Sequence, residues 1–266
     1  MTPLALPLIG WAAMALVMVV AYVLARIRRD AGIVDAVWAF GVGALAIFYS
    51  VFSVGDPTRR VLLAVLGGGW AARLGAYLLR DRVLRGEEDG RYQMLRAKWG
   101  PRANAYFFVF FQVQAFWSVL FSLPFLPVVM NSSAAPAWHD YAGLGVWLVA
   151  VCGESLADSQ LARFRRRPDS KAKTCREGLW RYSRHPNYFF EWVHWFAYVF
   201  LALGSPHVWL TLCGPVVMFV FLFKLTGIPY TEKRALASRG EDYRRYQQTT
   251  SVFIPWPPKE APTWED

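Results

Sequence analysis

The stretch LALPLIGWAAMALVMVVAYVLA, residues 4–25, contains no charged side chain. A helix of about 20 apolar residues is long enough to cross the hydrocarbon core of a bilayer. Three arginines follow at positions 26, 28 and 29, whereas residues 1–10 contain neither Lys nor Arg. Because a cleaved signal peptide carries its positive charge before the apolar run, the stretch predicts a retained anchor whose N-terminus lies outside.

Six further stretches have the composition of membrane spans. The chain of 266 residues is 55% hydrophobic and only 18% charged, yet its net charge is +10. A disordered chain, a collagen-like chain and an ordinary soluble enzyme are excluded by this combination. The expected spans are 4–25, 33–54, 61–79, 105–130, 141–160, 188–204 and 207–224.

The Lys and Arg residues are concentrated in alternate connections between these spans. Most of the 29 lie in 26–32, 80–104, 161–187 and 225–266, and cytoplasmic loops are the ones enriched in Lys and Arg. The sequence therefore predicts an all-α, seven-helix transmembrane bundle with the N-terminus outside and the C-terminus in the cytoplasm. We expect a single domain over 1–266, with 141–257 carrying most of the candidate binding motifs.

Polar and ionisable side chains inside the expected spans fall on three helix faces. Side chains three, four or seven residues apart lie on one face of a helix, and ionisable groups inside a span are functional candidates. Two interpretations remain open: a cavity on the cytoplasmic side that binds an anionic ligand, or polar contacts that hold helices together. The three sets are Trp70, Arg73, Tyr77 and Asp81; Glu154, Asp158 and Arg165; and Asn187, Glu191 and His194.

The densest motif is EGLWRYSRHPNYFFE at residues 177–191. Pro186 suits the first turn of a helix, where its missing N–H is not needed. Asn187 and Tyr188 then lie in a first turn whose free N–H groups favour an anion. Basic residues around a helix start, here Arg184 and His185, indicate a bound phosphate or carboxylate, and anchoring at the membrane surface is the alternative.

Together with four other stretches, this motif resembles the signature of the steroid 5α-reductase-like superfamily, most closely its bacterial branch. The others are GIVDAVW at 32–38, WAARLGAY at 70–77, GEEDGRY at 86–92, and the tail with EKR at 232–234 and FIPW at 253–256. The resemblance implies a seven-helix membrane fold with an NADPH pocket open to the cytoplasm, which we place in a bacterial inner membrane.

The resemblance also implies cofactor contacts. Asp158 and Arg165 match positions that bind NADPH in the superfamily, and Glu154 stands where those reductases have Asn. The nicotinamide-side pair corresponds to Asn187 and Glu191. The remaining candidates for cofactor binding are Arg73, Tyr77, Asp81, Arg163, Tyr182, Arg184 and His185.

The expected activity is reduction of a carbon–carbon double bond in a steroid-, sterol- or lipid-like enone by hydride transfer from NADPH. Asp35 and Glu191 are the candidate proton donors, with Tyr188 as a phenolic alternative. Trp70 stands where steroid-reducing relatives have a Tyr that binds the substrate ketone. We therefore do not expect the substrate to be specifically a 3-keto steroid. The partners expected are a hydrophobic small molecule and the lipid bilayer, with no nucleic acid and no metal.

Two other functions stay open. The Arg-His-Pro-Asn-Tyr run at 184–188 is shared with isoprenylcysteine carboxyl methyltransferases, which use S-adenosylmethionine. The first alternative is therefore a membrane methyltransferase that acts on a lipid or a prenylated thiol. The second alternative is a non-enzymatic lipid-binding or transport protein, since charges in spans also fit an ion path.

Overall fold

The helices of this chain follow the apolar runs of its sequence. The computed structural model describes residues 4–84, 86–225 and 227–260, and within these ranges the fold is all-α. The helices are α1 (Ala5–Arg28), α2 (Ile33–Phe52), α3 (Pro57–Leu78), α4 (Gly90–Trp99), α5 (Ala103–Ser122), α6 (Phe125–Val129), α7 (Trp138–Arg165), α8 (Pro186–Leu201), α9 (Cys213–Val220), α10 (Ile228–Arg239) and α11 (Glu241–Thr249).

Helical segments long and apolar enough to cross a membrane number five in the described chain. They make the protein a multi-pass integral membrane protein by helix length and hydropathy. Many large apolar side chains on these segments are exposed, as lipid-facing side chains are. The segments are Ala5–Arg28, Ile33–Phe52, Pro57–Val83, Gly90–Ser122 and Val208–Arg239.

Five of the seven spans expected from the sequence overlap these segments. The stretches 141–160 and 188–204 do form helices, α7 and α8, but neither belongs to the five. α7 contains Glu154, Asp158 and further charged residues in its 28 positions. α8 has 16 residues, a length of about 24 Å at 1.5 Å per residue, against a hydrocarbon core of about 30 Å.

The stretch 105–130 is also not one helix. α5 ends at Ser122, and α6 follows from Phe125 to Val129. Pro124 lies between them, and a proline inside a helix removes one backbone hydrogen bond and clashes with the carbonyl four residues earlier. The chain therefore turns at 123–124 instead of continuing straight.

The described chain forms two compact units. Unit 1 is Met1–Tyr141 with Tyr198–Gly214, and unit 2 is Ala142–Ala197 with Pro215–Asp266. The single domain expected over 1–266 stays a prediction; residues 1–3, 85, 226 and 261–266 lie outside the described residues.

In unit 1, α2 and α3 approach closely because small residues face each other. A Cβ atom added to Gly67 of α3 would lie 2.6 Å from the Cβ of Ala46 on α2, and one added to Gly43 would collide with Ala71. Small residues at helix contacts are what membrane bundles use to bring backbones together. α1 packs on α5, where the ring of Tyr22 contacts Phe108 and Phe111 edge-on, with ring centroids 5.4 and 5.8 Å apart.

A buried ion pair ties α3 to the first turn of α7, and a further hydrogen bond ties it to the loop before α7; these contacts are also in unit 1. Arg59 is fully buried. Its Nε and Nη2 donate to the two carboxylate oxygens of Asp140 at 2.9 and 3.1 Å, and its Nη1 donates to the Ser133 carbonyl at 2.6 Å. Ala137 N–H donates to the same carboxylate at 2.7 Å. Fully satisfied hydrogen bonds are the condition under which a buried ion pair is tolerated.

In unit 2, an aromatic cluster anchors the C-terminal segment. The ring of Phe253 lies 5.7 Å from the rings of Phe189 and Trp192 on α8, and 5.1 Å from that of Phe223. Edge-to-face pairs of this kind stabilise by about 0.5–1.5 kcal/mol each beyond the area they bury. The segment after α11 is therefore fixed against α8.

Candidate functional site

The polar faces of α7 and α8 meet in unit 2. Asn187 Nδ2 donates a hydrogen bond to Asp158 Oδ1 at 3.1 Å, and Asn187 Oδ1 accepts from the N–H of Tyr188 at 3.0 Å. The two helices approach closely at Gly153, where a Cβ atom would collide with the ring of Phe190. Two side chains that the sequence placed on separate helices are thus brought together.

Several other candidates on these two helices are buried. Glu154 lies one turn before Asp158 on α7 and is 5% exposed, and Asp158 itself is 9% exposed. On α8, Glu191 is 7% exposed and His194 is fully buried. The spacing read from the sequence therefore corresponds to buried side chains for Glu154 and Asp158 on α7 and for Glu191 and His194 on α8, whereas Arg165, predicted on the same face of α7, is exposed.

The residues before α8, here called the motif loop (178–185), are fixed to α7. The indole N–H of Trp180 donates to the carbonyl of Ala157 at 2.9 Å, and the N–H of Leu179 donates to Gln160 Oε1 at 2.9 Å. Gly178 has φ of 56°, and its backbone lies against Gln160 so closely that a Cβ would collide. Only glycine adopts this left-handed conformation without a steric cost, so Gly178 sets the start of the loop.

The C-terminal segment holds the other side of the motif loop. Ser183 Oγ donates to the carbonyl of Phe253 at 2.7 Å, and Trp256 N–H donates to the carbonyl of Tyr182 at 3.0 Å. The phenol of Tyr246 donates to the carbonyls of Trp180 and Ser183. These contacts satisfy backbone groups of a loop that begins with a 3-10 turn at Gly178–Arg181.

Glu232 of α10 is the hub of a polar cluster at the start of α8. Its Oε1 accepts from Arg184 Nε at 2.7 Å and lies 3.3 Å from His185 Nε2. The phenol of Tyr243 donates to Oε1 at 3.3 Å, and Gln247 Nε2 donates to Oε2 at 2.9 Å. The carboxylate therefore has four side-chain partners.

This cluster engages two of the predicted cofactor ligands. Arg184 also donates to the carbonyls of Gln247 and Thr250 at 3.1 and 2.8 Å. His185 is 2% exposed; burial lowers its pKa, and the neighbouring Glu232 carboxylate opposes that shift only in part. Arg184 and His185 thus already have a carboxylate of the chain itself as a partner, and their binding of a cofactor stays a prediction.

Tyr188 is oriented from two sides. Its ring stacks on the imidazole of His185 with an interplanar angle of 7° and centroids 5.3 Å apart. Its hydroxyl lies 3.3 Å from Oγ1 of Thr231. The phenol is therefore held in one position at the first turn of α8.

Three of the remaining cofactor candidates in unit 2 are exposed. Arg163 and Arg165 lie in the last turn of α7 with exposed side chains. Tyr182 is 41% exposed. The two guanidiniums are accessible to a soluble anion.

In unit 1, Asp35 lies at the centre of its own ion-pair cluster. Its carboxylate is ion-paired with Arg82 and with Arg91, whose Nη2 is 2.9 Å away, and the Tyr92 phenol donates to Oδ1 at 2.8 Å. The Asp35 carboxylate accepts hydrogen bonds from all three side chains. It therefore links α2 to the turn after α3 and to α4.

The other unit 1 candidates lie along α3 and its continuation. The guanidinium of Arg73 is 5.9 Å from the ring centroid of Tyr77, a cation–π contact within one turn. Asp81 lies beyond the end of α3, in a π-helical turn at Leu79–Val83. Trp70 is fully buried, and its ring meets Trp38 edge-on at 6.4 Å.

Reasoning from the sequence missed the partners in these clusters. Glu232 is separated from Arg184 by 48 positions, and Asp35 from Arg91 by 56. The EKR and GEEDGRY stretches were noted as part of a resemblance, but nothing in one sequence pairs a carboxylate with a guanidinium so far away. Within the described residues there is also no group of three or more His, Cys, Asp or Glu placed to hold a metal ion.

Comparison with known proteins places the chain in a family. An uncharacterized protein of Schizosaccharomyces pombe is 27% identical over 256 residues, covering 84% of this chain and 72% of the yeast protein. No solved structure matches the chain. Residues 21–250 match the family described as a protein of unknown function, DUF1295. This match covers most of the sequence, and the chain is therefore a multi-pass membrane protein that belongs to the DUF1295 family.

Proposed function

We propose that this protein is an NADPH-dependent membrane reductase that reduces a carbon–carbon double bond in a steroid-, sterol- or lipid-like substrate. The observation that carries the proposal is the hydrogen bond between Asn187 and Asp158. In the resemblance to steroid 5α-reductase-like proteins, both positions contact the cofactor, and they come from different expected spans. Their juxtaposition is what a shared cofactor site requires.

The chemistry of the donor set fits a dinucleotide. Asp158 and Glu154 offer carboxylate oxygens to ribose hydroxyls, and the Asn187 amide offers both a donor and an acceptor to the nicotinamide carboxamide. Arg163 and Arg165 are exposed one and two turns beyond Asp158, where guanidiniums suit phosphate groups. Arg184 is engaged by Glu232, so we assign it to holding the motif loop and not to phosphate.

Bound NADPH would supply a hydride to the β-carbon of the enone. The chain's own groups would then stabilise the enolate oxygen and deliver a proton to the α-carbon. We assign that role to the phenol of Tyr188 or to the buried Glu191, both on α8. Asp35 accepts from Arg82, Arg91 and Tyr92 and suits an anchoring role better than that of a proton donor.

The proposal includes the membrane topology. α7 and α8 would complete a seven-helix arrangement with the five clear spans, so that the N-terminus is outside and the basic segments 80–104 and 161–187 are cytoplasmic. A cofactor site at the start of α8 would then face the cytoplasm of a bacterial cell. This assignment is supported by the distribution of Lys and Arg along the sequence.

Cofactor binding to the full-length protein in detergent tests the proposal. A ligand that binds only the folded state raises the midpoint of thermal unfolding, so NADPH, NADH and S-adenosylmethionine are compared on the wild type. Asp158→Asn removes a charge-assisted contact, and we expect NADPH affinity to fall by about tenfold or more. The matched control is Asp169→Asn, because Asp169 is an exposed carboxylate on the loop after α7.

The outcomes are distinct. NADPH stabilisation that Asp158→Asn abolishes and Asp169→Asn retains supports the reductase. Stabilisation by S-adenosylmethionine alone overturns it and establishes the methyltransferase alternative. A response to none of the three also overturns it and leaves lipid binding or transport, which a panel of sterols and phospholipids then addresses.

A further inference from the structure

A cavity of about 460 Å3 opens in unit 1 where α1 leaves the apolar region. Its volume falls in the range of small-molecule sites. It lies beside the first turn of α5 and the loop that precedes α4. The lining residues are Arg26, Arg29, Glu88, Arg96 and Asn104.

The cavity has an excess of positive charge. Its one carboxylate, Glu88, is already engaged: Arg96 donates to its two oxygens at 2.7 and 3.1 Å, and Ala31 N–H donates to Oε1 at 2.9 Å. Arg26 and Arg29 carry no ion pair with any carboxylate in 4–84, 86–225 and 227–260. The nearby Asp30 is buried, and its Oδ1 accepts from the N–H of Gly32 at 2.8 Å.

The local structure fixes the backbone that carries the two arginines at the cavity, and their side chains are exposed. Arg29 has φ of 56° and caps the last turn of α1, with its N–H bonded to the carbonyls of Ala25 and Arg26. Arg26 lies on the preceding turn, 5.9 Å from the ring of Tyr22, and the Tyr22 hydroxyl donates to the Asn104 carbonyl at 3.0 Å. The walls of the cavity are thus joined by a direct α1–α5 contact.

An apolar surface borders the cavity on the side of the expected span. Val23, Leu24 and Ile27 of α1 are 49, 44 and 75% exposed, and Tyr106 and Phe108 of α5 are 45 and 41% exposed. Guanidiniums bind phosphates in a planar, bidentate geometry. A ligand that fits both features is an amphiphile with a phosphate at one end and hydrocarbon at the other.

We propose that this cavity binds the phosphate headgroup of an anionic membrane lipid, with the acyl chains along the exposed faces of α1 and α5. Basic pockets between helices at a membrane surface bind such headgroups. The site shares no residue with the proposed cofactor site, since its residues lie on α1, α4 and α5 and in the connections that follow α1 and precede α4. It would hold a lipid as a structural ligand of the first helix.

The test uses the full-length protein in nanodiscs of phosphatidylcholine. Phosphatidylglycerol with the same acyl chains is titrated in, and bound lipid is counted by native mass spectrometry while the unfolding midpoint is followed. The double variant R26Q/R29Q should weaken phosphatidylglycerol binding by about thirtyfold, from two arginine contacts. The control K98Q/R102Q removes two exposed charges from the same region outside the cavity and should bind like the wild type.

Two further measurements separate lipid binding from misfolding and from the binding of free phosphate. The variant R26K/R29K keeps both charges but not the bidentate geometry, so its affinity for phosphatidylglycerol should lie between those of the wild type and R26Q/R29Q. An unfolding midpoint of R26Q/R29Q in phosphatidylcholine that equals that of the wild type shows that its loss of binding is not due to misfolding. Inorganic phosphate should neither stabilise the protein nor compete at millimolar concentration. Equal losses in R26Q/R29Q and K98Q/R102Q, or equal binding of phosphatidylcholine, overturn the site; competition by inorganic phosphate overturns the lipid as its ligand.

Discussion

The carboxylate of Glu232 accepts a hydrogen bond from Arg184 at 2.7 Å, across 48 residues of sequence. Because this pair joins α10 to the motif loop, it fixes the entry into α8, where Asn187 and Tyr188 lie. A stability experiment on the pair therefore also reports on the candidate site.

Glu232→Gln should destabilise the protein, because Arg184 and its neighbours lose the charge that they surround. Both side chains are less than 20% exposed, and breaking a buried pair costs about 3 kcal/mol. Glu241→Gln is the control, since Glu241 is 61% exposed and its arginine contacts are 3.6 and 3.7 Å long. The midpoint of thermal unfolding in detergent should fall clearly for Glu232→Gln and hardly at all for the control. Equal midpoints would show that the Arg184–Glu232 pair does not stabilise the entry into α8.

The stability of the protein should fall as the solution becomes more acidic, through His185. Burial lowers the pKa of this imidazole below its ordinary 6.5, so the unfolded chain takes up the proton more readily than the folded one. The stability that the neutral imidazole of His185 contributes is fully present above about pH 6.5, and it is lost as the pH falls through the lower pKa of the folded state.

The comparison that isolates this effect is His185→Gln against His207→Gln, because His207 has an exposed side chain. Unfolding midpoints are measured from about pH 8 to about pH 5.5, the window in which an imidazole takes up its proton. The acid-induced decrease should be smaller in His185→Gln than in His207→Gln and the wild type. Parallel curves for all three proteins would show that His185 does not titrate in this window.

Breaking the buried pair of Arg59 and Asp140 should be among the most costly single changes in unit 1. Asp140→Asn leaves a fully buried guanidinium without its counter-charge, which costs about 3–5 kcal/mol. Asp169→Asn makes the same substitution at a side chain that is 71% exposed and should cost less than about 0.5 kcal/mol. A wild-type midpoint for Asp140→Asn would mean that the loop before α7 does not depend on this pair.

Substitution by alanine should change the stability of the protein differently at two adjacent glycines of α3. A methyl group on Gly67 meets the Cβ of Ala46 at 2.6 Å, whereas one on Gly68 meets only the end of the Ile47 side chain at 3.4 Å. Gly67→Ala should destabilise by about 1–3 kcal/mol through overpacking. Gly68→Ala should be neutral or stabilising, because alanine favours the helix by about 1 kcal/mol, and similar effects at both sites would contradict the close α2–α3 contact.

The sequence predicts those helices whose ends coincide with a change in composition. α1 (Ala5–Arg28) lies within three residues of the expected span 4–25. α3 begins at Pro57, four residues before the expected span 61–79, because the Asp56 side chain caps it and accepts from the N–H of Thr58 at 2.8 Å. The number of spans was harder to predict, because hydropathy alone does not separate a membrane-crossing helix from a short or charged one. α7 and α8 are helices of that kind.

The candidate site was predictable where a helix period determines it. The spacing of Asp158 on one helix and Asn187 on another placed both on polar faces, and the structure joins them. The roles of Arg184 and Asp35 depended on partners 48 and more positions away. Periodicity carries no information on such distances, so the anchoring roles of these two residues emerge only from the folded chain.

The dependence of the motif loop on later residues has a consequence for biosynthesis. The hydroxyl of Ser183 donates a hydrogen bond to the carbonyl of Phe253, 70 positions further on. The carbonyl of Trp180 accepts one from the phenol of Tyr246, 66 positions further on. At about 5–20 residues per second, translation therefore delivers the partners several seconds after the loop itself. The contacts among α1, α2 and α3 can form early in translation. The entry into α8, by contrast, cannot be completed until α11 and the segment after it have been made. A ribosome stalled before Tyr246 would therefore hold a protein whose spans are inserted but whose candidate site is not yet assembled.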